Sequence, residues 1–293
     1  MRLDGRVAIV TGAGGGLGRA HALLLAQRGA RVVVNDTGAA AEQVAEEIRA
    51  AGGDAIAAVG SVTDEAFVVR MVADAVQRWD RIDILVNNAG ILRDKTFARM
   101  AIDDFRLVVE VHLMGAVICT KAVWETMRTQ KYGRIVMTTS SSGLYGNFGQ
   151  SNYGAAKMAL VGLMQTLALE GERYGIRVNC LAPTAATQMM EGVLPNDMLR
   201  LLKPEFVSPA MLALVRDDAP TRAILCAGAR GFEGAQVSLA RGIHIHADDG
   251  APEAVVSRWD EIFDFTNAFV PDNALEQSRL ELAKAGYTPD TPS

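Results

Sequence analysis

The amino-acid sequence predicts an α/β protein with a doubly wound parallel sheet. Short runs rich in Val and Ile alternate with longer amphipathic stretches over residues 1–185. The apolar runs contain few polar residues, which is typical of parallel strands covered by helices on both faces. A glycine-rich segment, Thr11–Gly18, directly follows the first apolar run. This alternation of apolar runs and amphipathic stretches indicates repeated βαβ units.

The elements can be assigned in chain order from these patterns. The apolar runs predict six strands, Val7–Thr11, Val32–Asn35, Ala55–Val59, Ile82–Val86, Gly133–Thr138 and Ile176–Leu181. Apolar residues at helical spacing predict helices between the strands, near 17–28, 40–51, 64–78, 103–129 and 153–173. Gly29 and Gly52 stand where two of these helices would end, because glycine readily adopts the left-handed conformation of a C-cap. A further helix is predicted at Glu253–Phe265.

The domain organisation follows from where the alternation stops. We predict one sheet domain over residues 1–250 and a C-terminal extension over residues 251–293. Within the domain, residues 184–210 contain Met and Pro, have only weak periodicity and come after the sixth strand. Ligands of open α/β sheets bind outside the carboxyl ends of the strands. We therefore expect this insert to cover a substrate.

Composition limits the classes of partner. The 293 residues are 49% hydrophobic and 22% charged, with a net charge of −5, which is ordinary for a globular protein and offers no electrostatic attraction to nucleic acid or an anionic membrane. Residues 1–10 do not have the pattern of a secretory signal, and the longest apolar runs fall short of a membrane span, so a cytoplasmic location is expected. His244 and His246 lack a Cys or carboxylate pair at metal-ligand spacing, so no metal is expected. A small molecule is the expected partner.

A dinucleotide site is predicted at the glycine-rich segment Thr11–Gly18. Glycines between a strand and a helix permit a tight turn and a close approach of the backbone to a pyrophosphate at the helix N-terminus. This context indicates an NAD-binding Rossmann domain, with Gly12, Gly16, Leu17 and Gly18 as cofactor-binding residues. Asp36 ends the second strand, where a carboxylate can accept hydrogen bonds from the adenosine ribose hydroxyls and would repel a 2′-phosphate. The flanking Gly15 and Thr37 carry no charge, and Arg19 is expected to be a solvated or packing residue, so NAD is predicted over NADP.

The fourth strand ends in a second small-residue motif, Asn87-Asn88-Ala89-Gly90. Its small side chains and amides could let the cofactor lie against the backbone. Asn88, Ala89 and Gly90 are therefore also predicted to bind the cofactor.

The candidate catalytic residues lie in the second half of the sheet. Tyr153 and Lys157 are one helical turn apart in a predicted helix and so share a face. An ammonium beside a phenol favours the phenolate, which would lower the pKa of Tyr153 from about 10 and make it a general acid/base. Ser140 ends the fifth strand, and its hydroxyl could bind a substrate oxygen. Hydride transfer to or from a carbonyl carbon needs such an acid and such a donor.

These motifs together resemble the short-chain dehydrogenase/reductase family over about residues 1–183. The resemblance implies that Tyr153 is the proton donor and that Ser140 orients the substrate. It also implies that Lys157 binds the nicotinamide ribose and lowers the pKa of Tyr153.

Three positions depart from the usual family pattern. His112 stands where most members have Asn, Ser61–Val62 where an Asp usually follows the third strand, and Thr184 instead of Gly after Pro183. Because of its position, His112 is included among the candidate catalytic residues, where it would hold a water that leads from Lys157 to solvent. The alternative is a histidine that only packs in its helix. Ser61, Val62 and Pro183 are included among the cofactor-binding residues.

The departures resemble one subgroup, the (3R)-hydroxyacyl-CoA dehydrogenase domains of peroxisomal multifunctional enzymes. This similarity reaches to about residue 240 and lies in segments 35–38, 93–99, 111–115, 130–135, 145–157 and 202–209. It implies NAD-dependent interconversion of a (3R)-3-hydroxyacyl-CoA and a 3-oxoacyl-CoA. A hydroxysteroid dehydrogenase and a 3-oxoacyl thioester reductase remain alternatives, the latter disfavoured because it would usually use NADPH. A catalytically silent binding member of the fold is a further alternative, against which the intact Ser140, Tyr153 and Lys157 argue.

Residues around the expected substrate site have two possible roles. The insert offers an apolar lining suited to an acyl chain, and nearly as well to a steroid, in Met189, Met190, Val193, Leu194, Met198, Leu199, Leu201 and Leu202. Basic residues near the expected mouth could meet CoA phosphates or be merely solvated, namely Arg93, Lys95, Arg99, Arg200 and Lys203.

Self-association is also expected. The predicted helices at 103–129 and 153–173 carry apolar and small residues that suit close packing across a twofold axis, namely Gly115, Ala116, Val117, Gly154, Ala155, Ala159 and Gly162. A homodimer or a homotetramer is therefore predicted.

Overall fold

The computed structural model describes residues 1–186, 195–246 and 251–287. The chain forms two compact units, Met1–Ala235 and Gln236–Ser293. The first unit ends with the last strand of the sheet, whereas the sequence analysis placed the end of the sheet domain at residue 250. The assignment of residues 251–293 as an extension remains a prediction.

In the part of the first unit that the structure describes, eight strands form a single sheet. They are β1 Val7–Val10, β2 Arg31–Asp36, β3 Ala55–Val59, β4 Ile84–Asn87, β5 Gly133–Thr138, β6 Ile176–Thr184, β7 Ile224–Gly228 and β8 Gly231–Ala235. Their order is β3-β2-β1-β4-β5-β6-β7-β8, and all neighbours are parallel except the antiparallel pair β7 and β8. The predicted doubly wound α/β sheet is confirmed. Strands β7 and β8 were not predicted, because they are short and contain glycine and therefore give a weak strand signal.

Helices connect the strands and cover both faces of the sheet. Within the described residues they are α1 Gly16–Gln27, α2 Ala40–Ala50, α3 Glu65–Trp79, α4 Ile102–Val109, α5 Gly115–Gln130, α6 Ser141–Tyr145, α7 Ser151–Gly171, α8 Asn196–Leu201, α9 Ser208–Leu214, α10 Ala251–Ser257, α11 Trp259–Ile262 and α12 Leu275–Lys284. The predicted helix at 103–129 is two helices, α4 and α5, joined by a π-helical turn at Glu110–Met114. The predicted helix at Glu253–Phe265 is likewise divided into α10 and α11.

The core lies on both faces of the sheet because successive strand residues point to opposite sides. In β1, Val10 joins a cluster with Leu25 of α1 and Met211 of α9. Its neighbour Ile9 joins a second cluster with Val123 of α5. This burial on both faces explains why the strands appear in the sequence as continuous apolar runs.

The segment Ile102–Gln130 corrects one sequence expectation. It is a 29-residue helical stretch that is long and apolar enough to cross a membrane by length and composition, whereas no such run was expected. Several of its apolar residues, including Cys119, Val123 and Met127, are buried in the core against the sheet. Core packing is therefore a sufficient reason for its apolar character.

The sheet order reverses between β1 and β4, because β2 lies on one side of β1 and β4 on the other. Such a switch point leaves a crevice at the carboxyl ends of the strands, which is where open α/β sheets bind ligands. The predicted site residues follow β1 to β6 at this edge or lie on the helices beside it.

Candidate active site

The glycine-rich loop between β1 and α1 is shaped by close backbone packing. Gly12 has φ +62°, and a Cβ at this position would lie 2.8 Å from the Ala89 Cα atom. A Cβ on Gly18 would overlap the Gly12 carbonyl oxygen. Gly15 is the N-cap of α1 and has no side chain to cap the first N–H groups of the helix, which begins with Gly16 and Leu17. The loop therefore fits a pyrophosphate, which would accept hydrogen bonds from these N–H groups.

Asn88 and Ala89 hold the glycine loop from the side of β4. The Asn88 amide Nδ2 donates to the carbonyl oxygens of Thr11 and Gly12, at 3.0 and 3.1 Å. The backbone N–H groups of Asn88 and Ala89 donate to Thr11 Oγ1, at 2.9 and 3.0 Å. Thr11 thus links the two cofactor motifs, a role that the sequence analysis missed although a hydroxyl directly after β1 is the available signal.

Asp36 lies beside the glycine loop at the end of β2. Its Oδ2 accepts a hydrogen bond from the Gly14 N–H at 2.9 Å, and its Oδ1 accepts one from the Thr37 N–H at 2.7 Å. Arg19 instead pairs with Glu47, with Nη2 and Oε1 2.6 Å apart. The carboxylate is therefore placed where it can meet the adenosine ribose.

The remaining predicted cofactor residues lie at the same edge of the sheet. Ser61 and Val62 follow β3, where the Ser61 hydroxyl hydrogen bonds Thr63 Oγ1 at 2.8 Å and Val62 is buried. Pro183 lies near the end of β6, paired with Ala227 of β7.

Ser140, Tyr153 and Lys157 come together beside β5, as the sequence predicts. Ser140 is the N-cap of α6, where its Oγ accepts a hydrogen bond from the Ser142 N–H at 3.2 Å. Its hydroxyl also faces the Tyr153 phenol closely enough to lower the pKa of that group. The Lys157 ammonium lies 5.4 Å from the centroid of the Tyr153 ring and donates to the Thr138 carbonyl oxygen at 2.5 Å.

Burial controls the pKa values of this cluster. Lys157 is only 3% exposed, and desolvation lowers its pKa to about 7. Burial raises the pKa of Tyr153, and the negative charge of Asp94 raises it further, against the opposing hydrogen bond from Ser140. The sequence expectation that Lys157 holds the pKa of Tyr153 below its usual value is wrong for the protein chain itself. Desolvation of the phenolate is the largest of these influences, and it outweighs the opposing effect of Ser140.

His112 lies in the π-helical turn, a feature often found at functional sites. Its Nε2 is 2.7 Å from the Ile91 carbonyl oxygen and 3.0 Å from the Ile91 nitrogen, and only one of these contacts can be a hydrogen bond for a given tautomer. Burial, and the charge of Lys157, lower the pKa of His112 to about 3. The imidazole is therefore neutral near pH 7.

The surroundings of His112 bear on its predicted role with water. Within the described part of the chain, its Nδ1 is buried without a hydrogen-bond partner. The small cavity lined by His112, Asn87 and Lys157 has no room for a water molecule. The alternative of a packed imidazole fits these contacts.

The insert is described in part. The Ala186 N–H donates to the Leu202 carbonyl oxygen at 2.7 Å, so these two residues of the insert lie against each other. Met198 and Leu201 of α8 are exposed. Four of the predicted lining residues, Met189, Met190, Val193 and Leu194, lie outside the described residues.

The basic residues expected at the mouth divide into two groups. Arg93 and Lys95 lie near Asp104, with nitrogen–oxygen distances of 3.9 and 3.3 Å. Arg99, Arg200 and Lys203 are exposed to solvent. Exposure permits contact with an anionic ligand but does not require it.

Comparisons with known proteins find consistent similarity. A family model described as short chain dehydrogenase matches residues 6–197. The peroxisomal multifunctional enzyme type 2 of Mus musculus is 44% identical over 95% of this chain, which spans 39% of that protein. A putative short-chain type dehydrogenase/reductase of Mycobacterium tuberculosis is 43% identical over 90% of this chain and 96% of its own length.

Solved structures agree with these relatives. The full-length peroxisomal multifunctional enzyme type 2 of Drosophila melanogaster has a TM-score of 0.83 and 39% identity, covering 97% of this chain and 50% of that one. A 7α-hydroxysteroid dehydrogenase in complex with NADH and 7-oxoglycochenodeoxycholic acid has a TM-score of 0.73 and 32% identity, covering 78% of this chain and 95% of that one. The chain thus spans half or less of the type 2 multifunctional enzymes that it matches.

Proposed function

Because the chain belongs to the short-chain dehydrogenase family and is an oxidoreductase, we propose that it interconverts a (3R)-3-hydroxyacyl-CoA and a 3-oxoacyl-CoA with NAD. The observation that carries this proposal is the contact of Ser140, Tyr153 and Lys157 beside a glycine loop suited to a dinucleotide. The substrate class is supported by the resemblance of segments 93–99, 145–157 and 202–209 to hydroxyacyl-CoA dehydrogenase domains.

The choice of NAD rests on the end of β2. Asp36 would accept hydrogen bonds from the adenosine ribose hydroxyls, and Arg19 is engaged with Glu47 instead of turning toward a 2′-phosphate. The glycine loop would hold the pyrophosphate, and Lys157 the nicotinamide ribose. When bound, NAD would accept the hydride that leaves the alcohol carbon.

The chain's own residues would handle the substrate oxygen and its proton. Ser140 Oγ accepts a hydrogen bond from the Ser142 N–H, and its one proton would be donated to the substrate oxygen when substrate is bound. In the oxidation, the Tyr153 phenolate would take the hydroxyl proton as general base, and in the reduction the phenol would return it. Lys157, held by the Thr138 carbonyl, would place a positive charge beside the phenolate.

A hydroxysteroid dehydrogenase is the second candidate. It is favoured by the similarity to the 7α-hydroxysteroid dehydrogenase structure, and an apolar insert could accept a steroid nearly as well as an acyl chain. A 3-oxoacyl thioester reductase is a weaker candidate, because an NADPH preference would conflict with Asp36.

One experiment separates these functions. The protein would be mixed with NAD or NADP and a panel of (3R)-3-hydroxyacyl-CoAs of increasing chain length and of hydroxysteroids, following the absorbance of the reduced nicotinamide. We expect turnover of the acyl-CoAs with NAD. Turnover of steroids with none of any (3R)-3-hydroxyacyl-CoA would overturn the substrate assignment.

Charge offers an independent test of the CoA moiety. If Lys203 and Arg200 contact CoA phosphates, added salt and the Lys203→Ala or Arg200→Ala changes should lower kcat/KM for acyl-CoA, because the attraction is electrostatic. Turnover of an uncharged alcohol should not change. Arg2→Ala is a matched control, since the exposed Arg2 precedes β1 and so lies at the opposite edge of the sheet.

Assembly and location complete the proposal. We expect a homodimer or homotetramer that packs through the faces of α5 and α7, and a light-scattering mass of a monomer at micromolar concentration would contradict it.

A cytoplasmic location is proposed for this chain, although several relatives are named peroxisomal. Fractionation of native cells would test it.

A further inference from the structure

Gln150, which directly precedes α7, has an amide that makes three side-chain hydrogen bonds. Its Nε2 donates to Asp94 Oδ2 at 2.7 Å. Its Oε1 accepts from Ser142 Oγ at 2.8 Å and from Asn147 Nδ2 at 3.0 Å. The orientation of the amide is determined by these partners, because a carboxylate only accepts hydrogen bonds and the Asn147 NH₂ only donates them.

One branch of this network reaches the catalytic cluster. The Ser142 hydroxyl binds Gln150, and the Ser142 N–H donates to Ser140 Oγ at 3.2 Å. The Ser140 hydroxyl in turn faces the Tyr153 phenol and lowers its pKa. A continuous chain of contacts therefore runs from the Asp94 carboxylate through Gln150 and Ser142 to the two reacting side chains.

The Asp94 end of this chain is held in place. The Lys95 N–H donates to the Gly149 carbonyl oxygen at 2.9 Å, and Asn152 Nδ2 donates to the Arg93 carbonyl oxygen at 3.0 Å. Asn152 is fully buried, and its Oδ1 also accepts from the Tyr153 N–H at 2.8 Å. The segment that carries Asp94 is thus fastened on both sides of this residue to the loop that leads into α7.

We propose that Gln150 and Asp94 are positioning residues. They hold Ser142 in the first turn of α6 and thereby orient the Ser140 hydroxyl toward the substrate oxygen and Tyr153. The inference rests on the proposed function only in taking Ser140 and Tyr153 as the groups that meet the reacting oxygen. It does not depend on which alcohol is the substrate.

The two residues should have separable effects. The charge of Asp94 raises the pKa of Tyr153, and among the described residues the titratable side chains of His112 and Lys157 also lie against this ring. Asp94→Asn keeps an acceptor for Gln150 but removes the charge, so it should lower the pKa of Tyr153. Gln150→Leu breaks the chain of contacts and leaves the charge of residue 94 in place.

Steady-state kinetics on any alcohol that the wild-type protein oxidises would test the positioning role. Gln150→Leu should lower kcat by about tenfold or more, because a displaced donor no longer meets the reacting oxygen. The affinity for NADH, measured by fluorescence, should change by less than about twofold, since Gln150 lies outside the glycine loop. Gln165→Leu is the matched control on the same helix, where it loses a hydrogen bond from Arg222 and should leave kcat unchanged.

Recovery of kcat in a double variant at positions 150 and 94 would distinguish a positioning role from a merely structural one. Gln150→Glu places two carboxylates together and should lower kcat, whereas the Gln150→Glu/Asp94→Asn double variant can re-form the contact, because Asn at 94 donates to Glu at 150. We expect the double variant to recover most of the lost kcat. A double variant no better than Gln150→Glu, or a Gln150→Leu variant with wild-type kcat, would overturn the inference.

Titration adds a readout that needs no substrate. The ultraviolet absorbance of tyrosinate, compared between proteins with and without Tyr153→Phe, would assign the Tyr153 transition. This transition should move to lower pH in Asp94→Asn and stay unmoved in Gln165→Leu. An unshifted transition would overturn the role of the Asp94 charge. Failure of the acyl-CoA assay alone would refute only the substrate assignment.

Discussion

The His112 imidazole packs edge-on against the Tyr153 ring, with the ring centroids 5.2 Å apart and the ring planes at 88°. The same imidazole meets the Ile91 backbone through Nε2. His112 therefore connects the loop after β4 with the side chain proposed as general acid/base. Because the imidazole is buried and its pKa is lowered to about 3, this connection does not depend on a positive charge.

The role of His112 can be tested by three replacements. His112→Gln places an amide near the position of Nε2 and should keep the Ile91 contact, so we expect at least half of the wild-type kcat. His112→Leu removes the contact and should lower kcat severalfold. His112→Asn cannot reach Ile91 equally well but matches the usual family residue. Full activity in His112→Asn together with a loss in His112→Gln would favour a water-holding role over positioning.

Gly90 should not tolerate a side chain. A Cβ at this position would overlap Cε1 of His112, so Gly90→Ala must displace either the loop or the imidazole. We expect a lower melting temperature and a lower kcat. Gly234→Ala in β8 is a control away from the site, because a Cβ there meets no atom within 4 Å. An equal effect of both changes would show that the Gly90 contact has no special importance.

Tyr153→Phe should remove nearly all turnover. A general acid/base contributes typically about 10²–10⁴-fold to the rate, and the hydroxyl of Tyr153 also faces Ser140. Binding of NADH, followed by its fluorescence, should remain close to that of the wild type, whereas Lys157→Ala should weaken both binding and turnover. More than half of the wild-type kcat in Tyr153→Phe would refute the mechanism.

Asp36→Ala should narrow the preference for NAD over NADP. The change removes the carboxylate that would repel a 2′-phosphate and also frees the Gly14 N–H that it now holds. The measurement is kcat/KM with each cofactor for both proteins. A wild-type protein with the higher kcat/KM for NADP would show that Asp36 does not select the cofactor.

His21 should make the protein sensitive to acid. It is fully buried, its Nδ1 lies 2.8 Å from Ser208 Oγ, and desolvation lowers its pKa to about 3. In the unfolded chain a histidine has a pKa of about 6.5, so the unfolded state binds the proton first as the pH falls. The stabilisation is complete above about pH 6.5 and is lost as the pH falls toward about 3, with a decrease in unfolding free energy on the order of 2 kcal/mol by pH 5.

Melting temperatures at pH 7 and pH 5 would test this assignment. His21→Asn can keep a hydrogen bond to Ser208 but does not titrate, so its melting temperature should fall less than that of the wild type between these values. His244→Asn, at an exposed position, is the control. An identical fall in the wild type and His21→Asn would contradict the role of His21.

The parts of the site that are formed by residues close together in the sequence could be predicted. The glycine loop follows β1 directly, and Tyr153 and Lys157 share one face of α7, so each motif carries its own geometry. The last two strands could not be predicted in this way. Both β7 and β8 contain glycines, and they form the edge of the sheet by pairing with each other. The π-helical turn around His112 likewise has no distinct local pattern.

The sequence by itself determined the parallel α/β sheet, the dinucleotide loop and the candidate catalytic residues, because strand alternation and helical spacing are local properties. Only the tertiary structure decided that Asp94 meets Gln150 and that burial raises the pKa of Tyr153. Both depend on segments far apart in the chain, which are brought together when the helices pack on the sheet and exclude water. No local pattern records which side chains will face one another there, or how much solvent each will lose.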